Sequence, residues 1–261
     1  MSDVILPVSL REKGYRLVWQ AETGSTNEDA MQAAREGAET PCWYVARQQQ
    51  AGRGRHGRQW LSPAGNLYAS LLLKNPCSMV EAPQLGFVTG IALYDALKTL
   101  TGAQVPDLAL KWPNDVLFNG QKLVGLLLES QCMGDQVHIV IGCGINVSHR
   151  PDNPQYPVAM LHDLNPDLSL SDVFSAFSLS FDHVLSVWQE TRGLSAIERF
   201  HPIRELWLER AGGIGKSASV NLPNGKINGS FIGIDALGRL ELDTGNGIKL
   251  IDAGDLFFPK A

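Results

Sequence analysis

Apolar positions along this chain recur at two periods, and each change of period marks the end of an element. Tyr15–Gln20 reads as a strand. Glu22–Gly37 (ETGSTNEDAMQAAREG) reads as a helix, with Ser25 and Glu28 spaced as a capping box and Gly37 where a helix stops. Pro41–Arg47 (PCWYVAR) and Leu67–Leu73 (LYASLLL) are predicted strands, separated by a turn over Ser62–Asn66. The second is apolar throughout, as a strand buried on both faces should be. Ala82–Leu100 predicts an amphipathic helix with Leu85, Val88, Ala92 and Ala96 on one stripe, and Gly102–Leu108 a loop. Val137–Val147 (VHIVIGCGINV) alternates as a strand and then turns glycine-rich, as though leaving the sheet. Ser148–Asn165 is polar and proline-rich, the pattern of a long loop. Helices are predicted over Ser171–Glu190 and Ser195–Ala211, with Pro202 starting a fresh helix or kinking the second. Beyond Ala211-Gly212-Gly213, short strands alternate with turns at Pro223–Gly225, Leu237-Gly238 and Gly245–Gly247, the pattern of a small barrel. The division falls into residues 1–211 and 212–261.

One stretch fixes a register as well as an element. In Leu110–Glu129 (LKWPNDVLFNGQKLVGLLLE), Asn119-Gly120 between apolar runs signals a two-residue hairpin turn. Phe118 then faces Gln121 and Leu117 faces Lys122. Lys122 and Asp115 fall on one side of the sheet as diagonal neighbours, roughly 7–8 Å apart. Lys111 and Asn114 stand at the entry to the same strand. Such a surface is either a salt-bridged wet face or part of a site, and a lysine leading into so apolar a strand as LVGLLL favours the site.

Composition narrows the classes. The 261 residues are 44% hydrophobic and 19% charged, which suits a folded core and not a disordered chain. A net charge of -5 argues against a general nucleic-acid binder and predicts no DNA partner. About 50 to 60 residues would be needed ahead of the first strand for a helix-turn-helix domain, more than this N-terminus offers. Four cysteines (Cys42, Cys77, Cys132, Cys143) lack metal-site or disulfide spacing, and Cys143 between two glycines reads as packing. No apolar run is long enough for a bilayer and no signal-peptide core is visible, so a cytoplasmic location without membrane contact is expected.

Against that acidic background, Gln48–Trp60 (QQQAGRGRHGRQW) is a local positive island. Gly52, Gly54 and Gly57 allow the backbone to wrap closely round a ligand, while Arg53, Arg55 and Arg58 offer charged forks for carboxylate or phosphate. A solvated basic loop is the plain alternative; the density of glycine and arginine beside Trp60 favours an anion site. Ser25, Thr26 and Asn27 exceed what a helix cap requires, and stand where free backbone N–H groups can meet a polar ligand. The GCGIN sequence lacks the third glycine and the following helix of a dinucleotide fingerprint, so a Rossmann reading is rejected.

Four stretches in order resemble the biotin protein ligases: Ser25-Thr26-Asn27, the Gly52–Arg58 loop GRGRHGR, Lys111–Asp115 (KWPND) and Lys122–Leu126 (KLVGL), with Gly144–Asn146 a weaker fifth. The resemblance spans nearly the whole chain and is that of a monofunctional member. It implies an α+β fold: a mixed β-sheet flanked by helices, related to lipoate ligases and class II synthetases, with a small C-terminal SH3-like β-barrel. It implies ATP-dependent activation of biotin to biotinyl-5′-AMP, then transfer to a lysine of a carboxylase's biotin carboxyl carrier domain. Biotin and ATP would be substrates and Mg2+ would accompany ATP beside Asp115, with no metal held by protein ligands alone. Ser25, Thr26, Asn27 and Gln49 would hold the ureido ring, with Gly52, Arg53, Gly54, Arg55, Lys122 and Gly125 completing the biotin site. Arg53, Arg55, Arg58, Trp60 (against adenine), Lys111, Asn114, Asp115 and Asn146 would form the adenylate site. Lys122, Arg55 and Asp115 would be catalytic, Asp115 a candidate base. The barrel would support the core and handle the acceptor, and a homodimer is left open. A lipoate ligase would share the fold without the double GRGR loop; a non-enzymatic binder would not need both Lys111 and Lys122. An RNA-binding module fits the acidic total least.

Overall fold

A computed structural model describes residues 3–102, 107–151, 157–223 and 225–259. The chain begins with a short helix, α1 (Val8–Glu12), that periodicity did not reveal because five residues cannot display a 3.6 period. There follow β1 (Arg16–Gln20), α2 (Thr26–Arg35), β2 (Cys42–Ala46), β3 (Leu67–Lys74) and α3 (Gln84–Thr101). The hairpin-rich middle comprises β4 (Leu108–Lys111), β5 (Asp115–Phe118), β6 (Gln121–Met133) and β7 (Gln136–Ile145). Helices α4 (Leu170–Glu190) and α5 (Ala196–Arg210) lead to β8 (Ser217–Leu222), β9 (Gly225–Ile234), β10 (Leu240–Asp243), β11 (Ile248–Ile251) and β12 (Asp255–Phe257).

The first seven strands form one sheet in the order β1-β2-β3-β7-β6-β5-β4, mixed because β1 and β2 run parallel while every other pair is antiparallel. Helices cover both faces. On one side α3, α4 and α5 build the main core, where Trp43 meets Phe174, Phe177 and Phe181 edge-on at 5.4–5.9 Å between ring centroids. On the other side α2 packs Ala30 and Ala34 over Cys42, Tyr44, Leu72 and Val140. The order of the strands puts β3, β7 and β6 at the centre, and α2 opens above them.

Several expectations need correction. Every residue of α3 from Gln84 to Leu93 is buried, so this helix is not amphipathic in its first half; it is wedged between the sheet and two helices. Pro202 does not start a fresh helix; it lies inside α5, the second of the two places expected for it. The glycines of β7 do not leave the sheet: Gly142 and Gly144 pair with Ser70 and Tyr68 of β3 and with Leu127 and Gly125 of β6. The predicted loop at 102–108 yields Leu108 to β4, and its residues 103–106 lie outside those described. Of the loop at 148–165, residues 152–156 lie outside the description; Val158 bridges to Lys122 and Leu161–Asp163 forms a 3-10 turn.

The last five strands form an antiparallel sheet, β11-β10-β9-β8-β12, whose described pairings leave it open and not closed as a barrel. It is fixed to the first sheet by Gly212 N–H donating to Leu110 O (2.8 Å) and by the Trp112 indole donating to Gly238 O (3.0 Å). These bonds carry β12 to the end of the first sheet where β4 and β5 meet.

Candidate active site

A cleft of about 1490 Å³ runs from the N-terminus of α2, across β7, β6 and β5, to β12. At its inner end lie Ser25, Thr26 and Asn27, each only 5% exposed. Ser25 occupies the N-cap position, but its side chain makes no capping bond and the expected box with Glu28 is absent. Gln49 takes over instead: its Oε1 accepts from the Thr26 N–H (2.9 Å) and lies 3.1 Å from the Thr26 hydroxyl. Ser70, fully buried on β3, lies 2.7 Å from Thr26 Oγ1 and 2.6 Å from Asn27 Oδ1. Gln49 Nε2 donates to Ser62 Oγ (2.8 Å), whose hydroxyl donates to Trp60 O (2.9 Å). A helix start has thereby become a cluster of oriented amides and hydroxyls.

The floor of the cleft explains the glycines. A Cβ on Gly142 would overlap the Asn27 amide, and one on Gly144 would overlap the Trp60 indole. At Gly125 a Cβ would sit 2.9 Å from Trp60 Cζ3 and 3.1 Å from Lys122 Cε. A bare backbone on β6 and β7 therefore lets Asn27 and Trp60 reach the strands. Trp60 is set into this floor with the Lys122 ammonium 5.5 Å from its ring centroid. Its indole nitrogen is buried with no hydrogen-bond partner among the described residues.

The hairpin turn has Asn119 at φ 49° and Gly120 at φ 70°, the primed geometry that matches strand twist. Its pairs Phe118↔Gln121 and Leu117↔Lys122 are those the spacing predicts, followed by a bulge between Val116 and Leu117. The outcome for the charges is closer than a plain diagonal. Lys122 Nζ reaches Asp115 Oδ1 at 2.7 Å, and Lys111 Nζ reaches Oδ2 at 3.6 Å. Burial pushes the Lys111 pKa down, partly offset by Asp115, while Lys122 adds to the depression. The Lys111 ammonium also lies 5.2 Å from the Phe257 ring centroid of β12.

The arginine loop closes the outer end. Its backbone turns through Arg55–Gly57, with His56 at φ 56° and Gly57 at φ 71°. Arg53 points inward between Glu28 (3.5 Å) and Glu129 (3.6 Å). Arg55 donates to Asn114 Oδ1 (3.1 Å) and Gly254 O (3.4 Å), and Arg58 pairs with Asp255. Burial lowers the Arg55 pKa, opposed by Asp255 and Asp115.

Of the residues expected at the site, all but two line the cleft. Gly52 is one exception: it packs against Trp60 O and Ser62 Oγ and shapes the loop. Asn146 is the other, its amide donating to Lys122 O (3.3 Å) and Ala159 O (3.2 Å), which places it behind the lysine. Ser70, Glu129 and Asp255 were missed. Ser70 left one signal, the one serine in the run Leu67–Leu73; Glu129 and Asp255 left none. Among the described residues no cluster of His, Cys, Asp and Glu could hold a metal ion, and no helix is long and apolar enough to cross a membrane.

Comparison with known proteins places these features in a family context. Residues 20–146 match the biotin/lipoate A/B protein ligase family, and residues 213–258 match the biotin protein ligase C-terminal domain. The chain is 38% identical to a biotin–[acetyl-CoA-carboxylase] ligase of Paracoccus denitrificans, over 91% of this chain and 98% of that one. It is 32% identical to the bifunctional ligase/repressor of Bacillus subtilis, over 98% of this chain and 78% of that one. The structure of the Aquifex aeolicus biotin protein ligase in complex with biotin and ATP superposes with a TM-score of 0.78. The identity there is 29%, and 94% of this chain and 99% of that one are covered.

Proposed function

Because the chain belongs to the biotin protein ligase family, we propose that its cleft carries out that family's two steps with the residues assigned below. Biotin is activated with ATP to biotinyl-5′-AMP, and the biotin is then transferred to a lysine of a carboxylase's biotin carboxyl carrier domain. In the first step the biotin carboxylate oxygen attacks the α-phosphorus and pyrophosphate leaves. In the second the acceptor amine attacks the acyl carbon of the mixed anhydride and AMP leaves.

The observation that supports this most is the pair of lysines on one carboxylate, Lys122 and Lys111 on the two oxygens of Asp115, between a polar inner end and an arginine loop. A carboxylate and a triphosphate repel each other, so fixed cations must neutralise them as they approach. We assign Lys122 to the carboxylate and α-phosphate, and Lys111, Arg53, Arg55 and Arg58 to the phosphates. Ser25, Thr26, Asn27 and Gln49 take the ureido ring, whose loss would leave buried polar groups unpaired. Gly125 gives that ligand room beside Lys122. Trp60, set between the strand glycines and Lys122, is assigned to the wall separating the two ligands, with adenine packed against it. Both oxygens of Asp115 serve lysines, so its role is to hold the two ammonium groups, with Asn114 orienting Arg55. Mg2+ enters as part of the substrate MgATP, consistent with a cleft rich in cations and poor in free carboxylates. Residues 1–211 form the catalytic unit and 212–261 the smaller unit that closes it.

Incubating the protein with ATP, a carrier domain and either biotin or lipoate, and reading the carrier by intact mass, tests the reading. One biotinyl group on the carrier is expected, and none from lipoate; lipoyl transfer or no transfer would sink it. Lys122→Ala is expected to remain folded and lose most biotin-dependent pyrophosphate release. Release near the wild-type rate would remove Lys122 from the first step.

A further inference from the structure

Glu129 lies outside the cleft lining, yet its carboxylate reaches a side chain of the inner end. Its Oε2 accepts from Asn27 Nδ2 at 2.7 Å, and the same Nδ2 also lies 3.3 Å from Leu127 O. Two acceptors on one side of an amide admit only its N–H2 group, so the Asn27 carbonyl must face the opposite way. There it meets Ser70 Oγ at 2.6 Å, above Gly142.

The hydroxyl protons are then one short. Three oxygen–oxygen contacts (Thr26 with Gln49, Ser70 with Thr26, Ser70 with Asn27) share only the protons of Ser70 and Thr26. With the Ser70 proton drawn to Asn27 Oδ1, and Gln49 Oε1 already met by the Thr26 N–H, Thr26 Oγ1 is the oxygen that receives no donor within the group. A ligand bringing an N–H to this end would satisfy it. A flipped Asn27 would instead present its own N–H2 and favour a ligand with an acceptor there.

From this geometry we propose that Glu129 is a positioning residue for ligand selection: through Asn27 it makes the inner end of the cleft acceptor-rich, so that the site takes a ring bearing N–H donors. The inference rests on the biotin reading, since the ureido ring is such a ring. Leu127 O alone would hold the amide less firmly, being farther away and uncharged.

Steady-state adenylation, with pyrophosphate release as the readout, tests it with biotin and with a biotin methylated at one ureido nitrogen. Glu129→Leu is expected to raise the KM for biotin at least about tenfold, with KM for ATP and kcat within about twofold. It should also narrow the preference for biotin over the methylated analogue. Glu129→Gln still offers Asn27 an acceptor oxygen, and should recover most of the biotin affinity although its charge toward Arg53 is gone. If Glu129→Gln loses as much as Glu129→Leu, the residue acts by charge on Arg53 and the proposal is overturned. An equal rise in both KM values would overturn it too. Should Glu129→Leu fail to fold, a donor–acceptor exchange serves: Asn27→Asp alone should lose biotin affinity heavily, and adding Glu129→Gln should recover part of it. No recovery would overturn the proposal. Failure of the wild-type protein to release pyrophosphate with biotin would count against the biotin reading and leave these variants without a reference activity, so the two failures are told apart.

Discussion

Lys111 shows how the site tunes single residues. Burial favours its neutral amine, so it releases its proton at a lower pH than an exposed lysine would, despite the help of Asp115. Above that pH the end of the cleft proposed to hold the phosphates loses a positive charge, and ATP affinity should fall. Since kcat/KM for ATP reports groups of the free enzyme, its alkaline limb should end below the ordinary lysine range. Lys111→Arg carries a guanidinium that stays charged, and should move that limb to higher pH even where its neutral-pH activity is reduced. An unmoved limb would mean that another group sets it. Lys122 and Asp115 were legible in the sequence because hairpin register is set by a two-residue turn, and Lys111 only as a neighbour at the strand's entry. Glu129 was not. It stands on a strand whose partner residue Asn27 is 102 positions away, and no local pattern announces a contact of that span.

At the scale of elements, the informative residues are glycines in buried structure, and they differ in sign. Gly144 lies within β7, where an added Cβ would overlap the Trp60 indole. Gly86 lies within α3, where an added Cβ would find Leu128 at an ordinary 3.8 Å. Overpacking typically costs about 1–3 kcal/mol, whereas removing a glycine from a compatible helical position gains about 0.4–1 kcal/mol. Gly144→Ala should therefore lower the melting temperature and weaken biotin binding, as Trp60 is pushed off the floor. Gly86→Ala should raise the melting temperature and leave biotin binding as it was. Thermal denaturation with biotin titrations on both variants checks the pair, and equal signs would contradict the packing. Strand and helix positions were readable from period and turn chemistry. What the pattern misread, the ends of β7 and the faces of α3, were elements surrounded on all sides, where no polar face remains to mark direction.

The whole molecule adds a connection that neither unit shows alone. The sequence suggests that the C-terminal strands support the core and handle the acceptor, which predicts damage mainly to transfer. In the fold, β12 also forms a wall of the cleft: Asp255 pairs with Arg58 and lies 3.9 Å from Arg55, while Phe257 lies against Lys111. A boundary at Ala211–Gly213 was visible in composition; the return of the last strand to a loop 197 residues earlier was not. Arg58 is partly exposed, at 44%, and ion pairs of this kind contribute only about 0–1 kcal/mol to stability. Asp255→Ala should thus barely change the melting temperature. Its effect should appear in catalysis, because Arg55 and Arg58, proposed to hold the phosphates, would lose the carboxylate that positions them. The expected result is a loss of roughly tenfold in adenylate formation, about the 1.4 kcal/mol of one mispositioned contact, and at least as large a loss in overall transfer. Single-turnover pyrophosphate release, followed by transfer from preformed biotinyl-5′-AMP, separates the steps. If only transfer suffers, β12 is an acceptor surface and no part of the first step; if both suffer, the smaller unit completes the anion site that the arginine loop begins.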